Sequence, residues 1–262
     1  MSNLTFVIPA AGEGKRMQHA FPGEPKALIP VCGRPMVSHV IDSILATELN
    51  PSIVVVVSPG MEAKFRNALG LRQVAFAIQQ SPRGTGDAVR AARTVVSSST
   101  TTVAIAFADQ PILSTASIQR LVAKHLQSQA AVTLTVVQLP DFLDWRTPFY
   151  DWGRVIRDNF GRVMAIVEAR DATPAQLAIT EVNPSLYCFK SPWVWKALED
   201  MSSKNVQGEL LLTEIVPIAL RRGFPVESVD IMDPLETMGA NTPEQLVTLE
   251  HVYQQIQNKF LL

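Results

Sequence analysis

The stretch Leu4–Lys26, LTFVIPAAGEGKRMQHAFPGEPK, decides how the rest of the chain is read. It opens with a short apolar run, Leu4 to Ile8, with the length and β-branched content of a buried strand. The run breaks at once into Pro9-Ala10-Ala11-Gly12-Glu13-Gly14, small residues and glycines that let a backbone turn sharply and approach a ligand closely. Two isolated cations follow, Arg16 and Lys26. A strand, a glycine turn and cations in that order make an anion cradle, because free N–H groups and basic side chains point at the same place. The glycines alone fit an ordinary strand-to-helix turn equally well. No Gly-Lys-Ser/Thr follows, so this is not a P-loop, and Met17 stands where a dinucleotide fingerprint needs its third glycine.

Composition sets the outer bounds. The 262 residues suit one large α/β domain or two small ones, and no linker composition interrupts them, so a single domain over 1–262 is expected. Hydrophobic residues make up 47% and charged residues 18%, which is globular rather than disordered. A formal net charge of −1 gives no bulk attraction for nucleic acid or for a membrane surface. Cys32 and Cys188 have neither disulfide-framework nor metal-ligand spacing and read as reduced, mostly buried thiols. No basic leader precedes the first strand and no apolar run spans a bilayer, so a cytoplasmic location is expected.

Working outward, strand and helix patterns alternate. Helices are predicted near Met36–Thr47, Met61–Leu69, Asp87–Val96 and Ser117–Gln127, and strands at Ser52–Val57, Val74–Ile78, Val103–Ala108 and Ala131–Val137. The alternation predicts an α/β fold: a mostly parallel, Rossmann-like twisted sheet with helices on both faces. Past Val137 the pattern changes. Leu139–Asp151 reads as a long irregular loop, Arg154–Arg157 and Val163–Glu168 as a β-hairpin forming a lid or wall, and Thr180–Phe189 as a strand. A helix is expected around Trp193–Asp200, another at Leu211–Arg222, a strand at Pro225–Val229, and a closing amphipathic helix at Glu244–Asn258 with Thr242 as its cap. The portion that carries this lid is placed at about 139–230.

Ligands bind outside the carboxyl ends of strands in such sheets, so the residues after each strand matter most. Gln79 carries both a donor and an acceptor and suits the edge of a pyrimidine base. Gly84 and Thr85 open the next helix; they offer N–H groups and a hydroxyl, or simply a loop with a Thr cap. Asp109, directly past an apolar strand, suits Mg²⁺, a hard cation often held by one or two protein oxygens plus phosphates; the alternative is a helix-capping Asp. The histidines share no spacing and read as structural or solvated.

The string GxGxRM with a following PK resembles the opening of the sugar-nucleotide pyrophosphorylases. The segments WGRVIRDNFGRVMAIVEARDAT, EVNPSLYCF, NVQGELLLTEIVPIALRRG and GANTPEQLVTLEHVYQQ narrow this. In order and spacing they resemble the uridylyltransferase domain of the bifunctional bacterial enzymes that make UDP-N-acetylglucosamine. The similarity runs from Phe6 to the end of the chain. It implies transfer of UMP from UTP to a sugar 1-phosphate, with N-acetylglucosamine 1-phosphate first, by Mg²⁺-dependent direct displacement. It implies that Ala10, Ala11, Gly12, Gly14, Gln79, Gly84 and Thr85 hold the nucleotide. It implies that Arg16 and Lys26 act on the triphosphate, that Asp109 and Asn241 hold the Mg²⁺, and that Gly153, Glu168 and Asn183 hold the sugar. The chain stops about where that family's linker leads into an acetyltransferase domain. No acetyl transfer is therefore expected, and a monomer or weak dimer is expected in place of the family's trimer.

Four features depart from the family pattern. The gap between Arg16 and Lys26 is longer, and Ala108-Asp109-Gln110-Pro111 is reminiscent of cytidylyltransferases that act on molybdopterin. Asn183-Pro184-Ser185 replaces Asn-Thr-Gly, and the loop Leu139–Trp152 is longer and more aromatic, a composition suited to stacking on sugars and bases. These features leave open a cytidylyltransferase with another sugar or a non-sugar acceptor, and a non-catalytic nucleotide-sugar sensor.

Overall fold

In the computed structural model, residues 3–259 are described. Strand β1 (Leu4–Pro9) is followed by a two-strand ribbon, β2 (Pro30–Val31) and β3 (Arg34–Pro35), and then by α1 (Met36–Leu45), β4 (Ser52–Val57), α2 (Glu62–Leu69), β5 (Ala75–Ile78), α3 (Thr85–Ala91), β6 (Thr102–Ile105), α4 (Thr115–Gln127) and β7 (Val132–Gln138). The later part contains β8 (Arg154–Arg157), β9 (Val163–Val167), α5 (Pro174–Leu177), β10 (Glu181–Val182), β11 (Tyr187–Lys190), α6 (Ser191–Glu199), α7 (Ile215–Arg221), β12 (Val226–Asp230) and α8 (Pro243–Lys259).

The main sheet runs β5-β4-β1-β6-β11-β7-β10-β8-β9, with β12 paired to β7. Strands β5, β4, β1 and β6 are parallel. β11 enters antiparallel between β6 and β7, so β7 again points the way of β6, and β12 runs parallel to it. The sheet is thus mostly parallel. Alternation along β1 explains its two faces: Phe6 and Ile8 pack with apolar residues of α1, α2 and α4, while Val7 packs with those of α3, α6 and α7. A third apolar cluster joins Met17, Ile29 and Val31 to Val137, Phe149 and the buried side of α8, closing the structure beneath the strand ends. Among the described residues, no helix is long and apolar enough to cross a membrane.

The expected strands and helices of the first half are present within a few residues, and the β8–β9 hairpin is antiparallel with one register shift. Four segments differ. Helix α3 begins at Thr85 rather than Asp87, because Gly84 stands before it with φ 109°. Asp144–Asp151 is a 3-10 helix rather than irregular loop; Asp141 accepts from Leu143 N and Arg146, and the Thr147 hydroxyl donates to Asp144 O, so local polar side chains satisfy its backbone. The single strand expected at Thr180–Phe189 is broken into β10 and β11, where Ser185 takes φ 64°. Leu211–Arg222 divides into a 3-10 turn at Leu212–Glu214 and α7.

Candidate active site

The glycine turn after β1 leaves its backbone open. Ala10 N donates to Val56 O at 2.8 Å, so its amide belongs to the sheet. Among the described residues, no protein acceptor meets the N–H groups of Ala11, Gly12, Glu13 or Gly14. Gly14 adopts φ 57° and caps a 3-10 turn, Lys15–Met17, that projects Arg16 outward. A Cβ on Gly14 would lie 2.7 Å from Lys26 Cβ, so the glycine lets the two segments meet. Arg16 is exposed.

The other strand ends converge on the same place, as expected for the carboxyl edge of a parallel sheet. Lys26 Nζ lies 2.5 Å from Asp109 Oδ2 and 2.5 Å from Asn241 Oδ1. Gly239 makes that approach possible, since a Cβ there would stand 2.5 Å from Asp109 O. A carboxylate oxygen and a carboxamide oxygen thus converge on one cation, here the lysine ammonium. Two hard oxygens with room for phosphate oxygens fit Mg²⁺, which seldom takes an all-protein cage. Asn241 is held by its own N–H, which donates to Gln245 Oε1 at 2.7 Å, and Thr242 accepts from Gln245 N as the cap of α8.

A cavity of about 600 Å³ contains every residue expected to hold the nucleotide, its triphosphate and the metal, together with Phe107 and Arg170. Gln79 lies at 5% exposure, with Nε2 donating to Gly84 O at 3.2 Å and to Asp87 Oδ2 at 3.0 Å. The Thr85 hydroxyl accepts from Leu212 N at 2.9 Å, and Gly86 N donates to Leu210 O at 2.8 Å, so the run 205–214 clasps the start of α3.

A second cavity, of about 420 Å³, shares Phe107, Asp109 and Asn241 with the first. Gly153, Glu168 and Asn183 line it, as do Trp145, Phe149 and Trp152 of the aromatic segment. Glu168 accepts from the Thr213 hydroxyl at 2.7 Å. Burial and the nearby Asp171, Glu209 and Glu214 push its carboxyl above the usual range against that bond. Asn183 is buried and engaged: Nδ2 donates to Thr135 O at 2.8 Å, and Oδ1 accepts from the Tyr187 hydroxyl. It therefore holds the floor of the cavity with its carboxamide.

Several groups in the site escaped the sequence reading. Phe107 sits just past β6, which ends at Ile105; the sequence pattern runs the strand on to Ala108 and so hides its position beyond a strand end. Gln110 Nε2 donates to Pro184 O at 2.7 Å, so two departures from the family pattern touch each other. Fully buried Arg154 donates to the carbonyls of Trp152, Tyr150 and Leu177, and lies over the rings of Phe142 and Tyr150. Nothing in a single sequence marks an arginine as interior.

Residues 6–204 match the MobA-like NTP transferase domain. The chain is 37% identical over 250 residues to the bifunctional protein GlmU of Brevibacillus brevis, covering 95% of this chain and 51% of that protein. It is 36% identical over 248 residues to the bifunctional protein GlmU of Pelotomaculum thermopropionicum, with 95% and 51% covered. For that of Paraburkholderia phytofirmans the identity is 36% over 252 residues, with 96% and 52% covered. The chain spans about half the length of the curated relatives it matches.

Proposed function

The chain belongs to the MobA-like NTP transferase family, and from that premise we propose that it transfers UMP from UTP to N-acetylglucosamine 1-phosphate, releasing pyrophosphate. A phosphate oxygen of the acceptor bonds to the α-phosphorus as the bond from that phosphorus to the β-bridging oxygen breaks, and the electron pair leaves with pyrophosphate. The observation that carries this reading is the meeting of two cavities at Phe107, Asp109 and Asn241, one lined by cations and open N–H groups, the other by aromatic rings and carboxylates.

A phosphate monoester with a second pKa near ~6 is already mostly dianionic at neutral pH, so no general base is needed. The barrier comes from bringing two polyanions together and from charge building on the transferred and leaving groups. Positioning and fixed positive charge address both. Arg16 and Lys26 would take the triphosphate, with the free amides of Ala11 to Gly14 beside them. Asp109 and Asn241 would hold the Mg²⁺, which when bound neutralises phosphate charge. Lys26 lies between the same two oxygens, so ammonium and ion would compete for them. Gly153 and Glu168 would meet the acceptor, with Asn183 behind them.

A second reading, a cytidylyltransferase with a different acceptor, is favoured by the Gln110–Pro184 contact, which sets the floor where the family pattern has other residues. One assay separates the two: pyrophosphate release with Mg²⁺, crossing UTP, CTP, GTP and dTTP with N-acetylglucosamine 1-phosphate, glucose 1-phosphate and related phosphates. Release with UTP and N-acetylglucosamine 1-phosphate alone is the expected result. Release with another pair keeps the reaction and reassigns the substrates, and silence across the grid removes the sugar-phosphate reading. The reading further takes 1–262 as one domain, cytoplasmic, and a monomer or weak dimer.

A further inference from the structure

Resting on the larger cavity as the nucleotide site, we propose that Asp87 sets the choice of base by holding the Gln79 carboxamide in one orientation. The network itself fixes that orientation. Gln79 Nε2 meets Gly84 O at 3.2 Å and Asp87 Oδ2 at 3.0 Å. A carbonyl and a carboxylate only accept, so the nitrogen of the amide must face them. Oε1 is left at the other end; no described protein donor meets it, and it is not among the buried unpartnered atoms, so it is open to the cavity that Gln79 lines. The base therefore encounters an acceptor. Uracil presents an N–H at ring position 3, whereas cytosine presents a lone pair there. A fixed acceptor pairs with the first and repels the second.

Asp87 is equipped to enforce this. It is 7% exposed, and its second oxygen, Oδ1, accepts from Arg90 Nη2 at 2.5 Å and Arg83 Nη2 at 3.2 Å. The two guanidiniums occupy Oδ1 and leave Oδ2 to Gln79. A carboxamide at this position could not satisfy both sides. The arginines would keep the amide oxygen, and the amide nitrogen would then face Gln79 Nε2, donor against donor. Rotation of the Gln79 amide relieves that clash and turns Nε2 toward the cavity, where it suits the cytosine lone pair. Asp87 is thus a positioning residue that acts through Gln79 without touching the nucleotide.

The test measures UTP and CTP side by side in the full chain with Mg²⁺, by calorimetric binding without acceptor and by kcat/KM with it. The wild type is expected to prefer UTP. Asp87→Asn should lower the UTP:CTP ratio about tenfold or more, with part of the change a gain for CTP. Asp87→Ala, which leaves the Gly84 carbonyl in place, should lower it less. Equal weakening of both nucleotides by Asp87→Asn, at an unchanged ratio, would mark Asp87 as mere scaffold and overturn the proposal, as would a wild-type preference for CTP. Should Asp87→Asn fail to fold, Gln79→Met keeps the volume without the amide and must bring the ratio toward unity; a retained ratio overturns the proposal. Binding of neither nucleotide by the wild type would instead sink the nucleotide-site reading on which the proposal stands.

Discussion

The two cavities meet at Asp109 but are built on opposite terms. The larger one comes from the ends of parallel strands, and several of its polar groups are left unmatched: four consecutive amides, Arg16 and the Gln79 carbonyl have no described protein partner. The smaller one comes from the antiparallel excursion, and its polar groups are already engaged, Asn183 with Thr135 and Tyr187, Gln110 with Pro184, Glu168 with Thr213. On the proposed reading, the end that receives a triphosphate keeps its donors free, and the end that recognises an acceptor by shape uses its hydrogen bonds to hold its own walls.

If the chemistry occurs where the two ends meet, the largest effect belongs to the residue at the meeting point. Asp109→Ala should lower kcat/KM for pyrophosphate release about 10³-fold, about 4 kcal/mol, through lost cation binding and charge stabilisation. The folded state should tolerate the change, because the Asp109 side chain is 31% exposed. Near-normal turnover would break the comparison by separating the junction from the reaction.

A seam of a different kind joins the halves at β7. His125 on α4 is buried there, with Nδ1 2.9 Å from the Thr133 hydroxyl. Burial, reinforced by Lys190, lowers its pKa from 6.5 to about 4. Between those values the unfolded chain binds more protons than the folded one, so stability rises with pH across that window. It is complete above about 6.5 and is lost as pH falls toward 4, by up to about 3 kcal/mol. Denaturant unfolding at pH 7, 5 and 4 should follow this course, and His125→Gln should flatten it. Unfolding of the two halves in separate transitions would show that β7 does not couple them.

The same contrast governs what the sequence could disclose. The larger cavity was legible because its logic is local: an apolar run, then a glycine turn, then Gln79 or Asp109 past a predicted strand. The rule that ligands meet the carboxyl edge of a parallel sheet then gathers residues far apart in the chain. The smaller cavity was not legible in the same way, because its walls depend on pairings across the sheet. The burial of Arg154 and the contact of Gln110 with Pro184 are long-range outcomes with no period or spacing in the sequence, whereas the break between β10 and β11 falls at Pro184-Ser185, where a proline inside the predicted strand was a local signal. Asn183 shows the difference most clearly: its place in the cavity was anticipated, but its carboxamide faces the protein.

The ammonium of Lys26 qualifies the rule that the nucleotide end keeps its groups free, since it lies between the oxygens of Asp109 and Asn241. Lys26→Gln removes that competitor. Mn²⁺ affinity of the nucleotide-free protein, followed by electron paramagnetic resonance, should rise about tenfold, about 1.4 kcal/mol, while turnover falls for want of the triphosphate contact. Unchanged or weaker Mn²⁺ binding would show that the lysine supports the pair of oxygens rather than competing for them.

The smallest effect is expected at Arg154 and tests the acceptor end directly. Its guanidinium binds three carbonyls, those of Trp152, Tyr150 and Leu177, and thereby fixes the segment whose Trp145, Phe149 and Trp152 line the smaller cavity. Arg154→Lys keeps the charge but replaces a planar fork with a single ammonium that cannot reach all three acceptors in the same geometry. If shape is what this end contributes, loosening the segment should raise the KM for the acceptor severalfold, up to about tenfold, or about 1.4 kcal/mol, and leave the KM for the nucleotide alone. A rise in both would mean that the aromatic segment and the nucleotide cavity move together, and that the two ends are less independent than their hydrogen bonding implies.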